Sequence, residues 1–123
     1  MEWELSDDRP IFLQLYEQLA RRIIAGVYPP GSRLPSVREL AAESGVNPNT
    51  MQRALAQLEG SGLAESNRTS GRMVTSDTAA IAAMRHDLLR QAADVYLKAA
   101  AELGCTAADA AALLLEKEES SNG

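Results

Sequence analysis

Residues Ser44-Gly45-Val46-Asn47-Pro48 place a helix stop and a helix start within five positions, and nothing else in this chain restricts its fold as much. Glycine favours the left-handed position that ends a helix. Asparagine is a preferred amino-terminal cap, and proline fits the first helical position because the amide there has no intrahelical acceptor. Upstream, Ser36-Val37-Arg38-Glu39 has the spacing of a capping box, in which the Ser36 hydroxyl takes a first-turn amide and Glu39 reaches back to another. The spacing therefore predicts two helices, over residues 36–44 and from Asn47 to Gly60, joined by a tight glycine-containing turn. That is a helix-turn-helix unit. Val37, Leu40 and Ala41 form the inward face of the first helix, and Met51, Leu55 and Leu58 that of the second.

The flanks supply what such a unit needs to bury itself. Between Ile11 and Val27, the residues Phe12, Leu15, Tyr16, Leu19, Ile23 and Val27 recur every three or four positions, which predicts an amphipathic helix opening at Pro10 and stopped by Gly26 and the Pro29-Pro30-Gly31 run. Leu34 precedes Pro35 and is pushed to an extended conformation. Leu63 to Ser66 and Arg72 to Thr75, around the polar tip Asn67 to Gly71, predict a small β-hairpin. From Ser76 the composition turns to Ala, Leu and acids without proline, so a boundary is placed after Thr75. Ile81, Met84, Leu88, Ala92, Val95 and Ala99 repeat with near-heptad spacing on a helix from Asp77 to Leu103. Gly104 stops it. Thr106 and Asp109 then cap a last helix that carries Leu113, Leu114 and Leu115, with a frayed tail from Glu118 to Gly123. The expected architecture is mainly α with a small β-hairpin wing: a winged helix-turn-helix over residues 9–75 and a helical region over 76–119.

Composition removes most chemistry. The chain has 123 residues, 46% of them hydrophobic but only 4% aromatic, and one cysteine, Cys105, and one histidine, His86. No disulfide framework or multi-cysteine metal site is possible within one chain, no nucleophile has a credible base beside it, and no glycine loop suits a phosphate cofactor. Neither an enzyme nor a bound cofactor or metal is expected. Cys105 reads as a partly buried small residue, His86 as exposed or at a dimer seam, and Trp3 as packed over the first helix or over a partner's seam. No apolar run approaches the roughly 20 residues that cross a bilayer, and the opening Met-Glu-Trp-Glu is acidic where a secretory signal is basic. A soluble cytoplasmic protein without a membrane partner is expected.

The net charge of -5 argues on its face against nucleic acid, but its distribution does not. Residues 1–8 hold four acids and no base, residues 9–76 hold eight arginines against five acids, and residues 77–123 hold four bases against eight acids. Two readings remain open at this point: a local anion-binding face, or scattered solvated charge. The second helix of the pair favours the first reading, because Asn47, Asn49, Thr50, Gln52 and Arg53 crowd its opening turns. Amides and guanidinium groups of this kind read base edges through paired hydrogen bonds, and a helix amino terminus welcomes phosphate. Asn47 also serves as the cap; the plainer alternative gives Thr50 to the first turn and Gln52 to solvent. Arg68 and Arg72 in the hairpin are placed to reach the backbone or minor groove.

Together, PIFLQLYEQLARRIIAGVYPPGSR over residues 10–33 and LPSVRELAAESGVNPNTMQRALAQLEGSGLAES over residues 34–66 resemble the winged helix-turn-helix domain of the GntR family of bacterial transcription regulators. The VNPNT spelling and the short two-helix appendage look like its YtrA subfamily. The resemblance implies a DNA contact by Arg38 in LPSVRELA, base or phosphate contacts by Asn47, Pro48, Asn49, Thr50, Gln52 and Arg53, and wing contacts by Arg68, Thr69, Ser70 and Arg72. Thr69 stands where the family's wing tip carries its first glycine, and Met73 where an aromatic is common. Too much apolar surface lies in the appendage for a small domain to hide, so pairing with a second copy through Ile81, Met84, Leu88, Ala92, Val95, Ala99, Leu113 and Leu114 is expected, and a twofold dimer predicts a palindromic double-stranded operator. Kinship implies a homodimeric repressor of an operon encoding an ABC transporter, with room for an unidentified small-molecule effector. The alternative is a winged-helix module that binds a protein and no DNA.

Overall fold

The computed structural model describes residues 2–122. Its elements follow in the order α1 (Ile11–Ile24), α2 (Val37–Ser44), α3 (Pro48–Gly60), β1 (Ala64–Asn67), β2 (Gly71–Val74), α4 (Thr78–Glu102) and α5 (Ala107–Asn122). Contacts divide the chain into two units, the first ending at Met84 and the second beginning at Arg85.

In the first unit the caps act as the spacing requires. The Ser36 hydroxyl accepts the Glu39 amide at 3.1 Å, and Gly45 closes α2 in the left-handed region at φ 73°. Asn47 opens α3 by accepting the Asn49 amide at 2.8 Å, with Pro48 in the first helical position. Only Gly45, Val46 and Asn47 separate α2 from α3, so both helices set their apolar faces into one core. That core joins Leu15, Leu19 and Ile23 of α1 with Leu40 and Ala41 of α2 and Met51, Ala54, Leu55 and Leu58 of α3, and Leu34, Leu63, Val74 and Ile81 complete it. At roughly 1.5–3 kcal/mol for each large apolar side chain buried, this shared face stabilises helices too short to persist alone. α1 ends at Ile24, so Val27 falls after the helix and is 47% exposed instead of continuing the stripe.

β1 and β2 pair antiparallel with Ala64 opposite Val74 and Asn67 opposite Gly71. The lead-in before Pro35 adds an antiparallel bridge between Arg33 and Met73, backed by the Val74 amide donating to the Ser32 carbonyl at 2.8 Å. Leu34, extended as its following proline demands, is thereby anchored in the core at 3% exposure.

The ordered fold begins before residue 9. The Glu4 amide donates to Gln18 Oε1 at 2.9 Å, and Gln18 Nε2 returns a hydrogen bond to the Glu4 carbonyl at 2.6 Å. Gln14 repeats the arrangement with Ser6, so two glutamines of α1 hold the leader like rungs. Trp3 lies over Arg22, as expected of a residue packed on the first helix, and also donates to Glu43 of α2 at 3.2 Å.

The other end of this unit also differs from the compositional boundary after Thr75. Ile81 is buried in the first unit's core and Met84 packs against it, so the opening turns of α4 belong to that unit. In the second unit, Tyr96 donates to the Ala110 carbonyl at 2.9 Å, and Ala100 and Ala110 are buried. Thr106 and Asp109 cap α5 reciprocally, amide to carboxylate at 3.0 Å and amide to hydroxyl at 3.1 Å. α5 continues to Asn122, past the point where fraying is expected; Gly123 lies outside the described residues. Cys105 is exposed, not partly buried, because it sits in the turn between α4 and α5, and His86 is exposed on α4.

Candidate nucleic-acid interface

The geometry of α3 follows from which of its faces the core takes. Met51, Ala54, Leu55 and Leu58 are buried, which leaves Asn49, Gln52, Arg53 and Ala56 on the opposite, exposed face. Asn47 and Pro48 are exposed at its start. The Asn47 side chain is engaged as the cap. Thr50 is half-buried and its amide donates to the Asn47 carbonyl at 3.0 Å in the first turn. Asn49, Thr50 and Arg53 share a shallow hollow with Pro10, Ile11 and Phe12 of α1's amino-terminal end. Arg53 lies over the Phe12 ring, with Cζ 3.8 Å from the centroid. The surface is thus polar, amide-rich and cationic, with its donors at the amino-terminal half of one exposed helix.

Arg38 is exposed in the first turn of α2. In the wing, Arg68 and Thr69 are exposed at the tip and Ser70 is half-buried. Thr69 in place of a glycine does not open the turn, because Asn67 Oδ1 accepts from the Thr69 amide and hydroxyl at 3.0 Å each and from the Ser70 amide at 3.3 Å. Gly71 completes the tip at φ 80°, a conformation that L side chains rarely adopt. Arg72, expected from the sequence at a phosphate, has its Nε bound to Glu59 of α3 at 2.6 Å, and Ser66 donates to the same carboxylate oxygen at 2.5 Å. The Ser66 hydroxyl, with help from Arg72, holds the Glu59 carboxyl below the usual carboxylate range. This latch ties both wing strands to α3.

Of the eight arginines between residues 9 and 76, Arg9, Arg22 and Arg72 are paired with Glu17, Glu43 and Glu59. Among the described residues Arg21, Arg33, Arg38, Arg53 and Arg68 form no ion pair, so the cationic surplus is carried by α1, the lead-in strand, α2, α3 and the wing tip. Sequence reasoning missed Arg33, whose guanidinium lies beside Gly71, and the ring beneath Arg53; both depend on pairings distant along the chain.

A helix-turn-helix with a hairpin wing, an exposed polar reading helix and unpaired arginines around it defines the winged-helix class of DNA-binding regulators. Residues 12–74 match the family described as bacterial regulatory proteins, gntR family. The chain belongs to the GntR family of transcription regulators, in its YtrA-like group, and is not an enzyme. It is 33% identical to the uncharacterised HTH-type regulator YhcF of Bacillus subtilis over 86% of this chain and 88% of that protein. It is 38% identical to the transcriptional repressor YtrA of the same organism over 55% of this chain and 52% of that protein. Among solved structures, a GntR-family regulator from Listeria monocytogenes aligns with TM-score 0.84 at 31% identity, covering 91% of this chain and 98% of that one. The DNA-binding domain of AraR, solved in complex with operator ORX1, aligns with TM-score 0.53 at 28% identity over 61% of this chain and 92% of that one. Among the described residues no helix is long and apolar enough to cross a membrane.

Proposed function

We propose that this regulator is a homodimeric repressor that works on a palindromic operator in the cytoplasm, reading it with α3 and the wing. The observation that carries the reading is the exposed face of Asn49, Gln52 and Arg53 on a helix capped and braced as a recognition helix. Asn49, Thr50 and Gln52 are assigned to base edges, Arg53 to bases or phosphate, and Arg38 and Arg68 to the duplex backbone, with Thr69 and Ser70 at the wing tip. Asn47 and Pro48 set the start of the helix. The repressor role is supported by YtrA, which carries that name; an ABC-transporter operon as target is inferred from kinship alone, as is release by a small-molecule effector.

Pairing is supported by the apolar surface of the second unit, where Leu89, Val95, Leu103, Leu114 and Leu115 are more than half exposed. Leu88, Ala92, Val95, Ala99, Leu113 and Leu114 are assigned to the seam. Ile81 and Met84, which the heptad spacing also offered, are taken up by the first unit's core and leave that set.

Footprinting on the region upstream of its own gene tests the reading. The parent should protect an inverted repeat, and Asn49→Ala and Arg53→Ala should lose protection while still sedimenting as dimers. Protection by both variants equal to the parent's would overturn the assignment of α3.

A further inference from the structure

Arg53 is exposed, yet its guanidinium is not left to solvent. Its Cζ lies over the ring of Phe12, a residue of the first turn of α1, at 3.8 Å from the centroid. A stacked guanidinium gives one face to the ring and keeps its N–H edges free. An unsupported arginine loses much rotamer freedom when it binds, and one ordered in advance loses less. The stack also aims the group. Gln52 stands on the exposed face of α3, and Phe12 holds Arg53 toward the amino-terminal end of α1. There the hollow is lined by Pro10, Ile11, Asn49 and Thr50 and holds no acidic side chain. A recognition helix in a major groove meets base edges along its outer face and sugar-phosphate walls at its sides.

We infer that Phe12 is a positioning residue: it holds Arg53 against a backbone phosphate on the groove wall beside α1, so Arg53 supplies affinity and not base preference. The inference rests on the reading of α3 as the helix that enters the groove, and it narrows the role of one residue within it.

The test uses full-length protein, the duplex that the parent enriches from a randomised pool, and a scrambled duplex, each titrated at several salt concentrations. Arg53→Ala should weaken binding to both duplexes by a similar factor and reduce the slope of log K against log salt by about 0.9, the value of one phosphate contact. Phe12→Leu, which keeps the apolar volume but removes the ring, should reproduce the uniform loss in part. Phe12→Tyr, which keeps the ring, should restore binding, and Phe12→Leu added to Arg53→Ala should cost nothing further. Thermal melts separate these effects from unfolding. Loss with Arg53→Ala at one base pair only and an unchanged salt slope would make Arg53 a base reader and overturn the inference while leaving α3 in the groove. Phe12→Leu binding like the parent, or costing the same with and without Arg53, would also overturn it. If neither Asn49→Ala nor Arg53→Ala changes binding, the reading of α3 itself fails.

Discussion

Glu59 receives two hydrogen bonds on one carboxylate oxygen, from Ser66 of β1 and Arg72 of β2, and so fastens the wing to α3. Its carboxyl is held below the ordinary value, first by Ser66 and then by Arg72 against an opposing effect of burial. A group depressed in the folded state stabilises it above the ordinary carboxylate range and loses that contribution as pH falls through the folded value. In an NMR titration Glu59 should therefore show a midpoint below the ordinary carboxylate range, and Ser66→Ala should move it upward; a midpoint at or above the ordinary value would show that the latch is not formed in solution. Arg22 illustrates the opposite use of a charge. It is 3% exposed between Trp3 and Tyr28, donates to the Tyr28 hydroxyl at 2.9 Å and pairs with Glu43 at 3.2 Å. One side chain thus joins the leader, α1 and α2. Arg22→Ala removes the buried stem and the cation over the ring together, and calorimetric unfolding should register a loss of about 2 kcal/mol or more.

Elements announced by local chemistry were legible in the sequence, and features made by side chains distant along the chain were not. Ser36, Gly45, Asn47 and Pro48 bound α2 and α3 because caps act within a few residues of themselves. The residue types of α3's exposed face were equally plain, since the helix period fixes which of them face outward. The Arg72 latch was not plain, because Glu59 and Arg72 are 13 positions apart and only the hairpin register brings them together. The same holds for the leader: the sequence showed four acids there, while Gln14 and Gln18 on α1 were the signal that a neighbouring backbone needed partners. The heptad stripe offered Ile81 and Met84 to a seam, whereas in the single chain Ile81 is buried in the first unit's core and Met84 packs against it, since periodicity reports that a face is covered and not by what. The wing tip shows how one element substitutes chemistry for a missing glycine. Asn67 accepts three hydrogen bonds there, so Asn67→Ala should loosen the turn and weaken DNA binding severalfold in a mobility-shift assay, with little change in melting temperature because the residue is exposed. An unchanged affinity would mean that the tip takes no part in binding.

At the scale of the whole molecule the charge distribution and the apolar surface bear on the same question. The chain is acidic at both ends and cationic between them, so a net charge of -5 coexists with a DNA-reading segment whose bases are all arginine. Arg21, Arg33, Arg38, Arg53 and Arg68 remain without ion pairs among the described residues, enough cations for a steep salt dependence if several meet phosphates at once. In the proposed dimer the second engagement becomes intramolecular, so two weak engagements act as one strong one. The surface assigned to that pairing is in the second unit, where Leu103 is 82% exposed, Val95 70% and Leu114 54%. Apolar side chains left that open on two consecutive helices call for cover. Leu113→Glu combined with Leu114→Glu places charge on this surface without touching the core of the first unit. By sedimentation the parent should weigh twice its 13.2 kDa chain and the variant once. The variant's winged-helix unit should still melt cooperatively, yet its affinity for an inverted repeat should fall by a factor of at least 100 at moderate salt, and its salt slope should drop toward half of the parent's. A variant that stays dimeric would place the seam elsewhere; one that becomes monomeric and binds the inverted repeat as tightly as before would show that each reading unit acts alone.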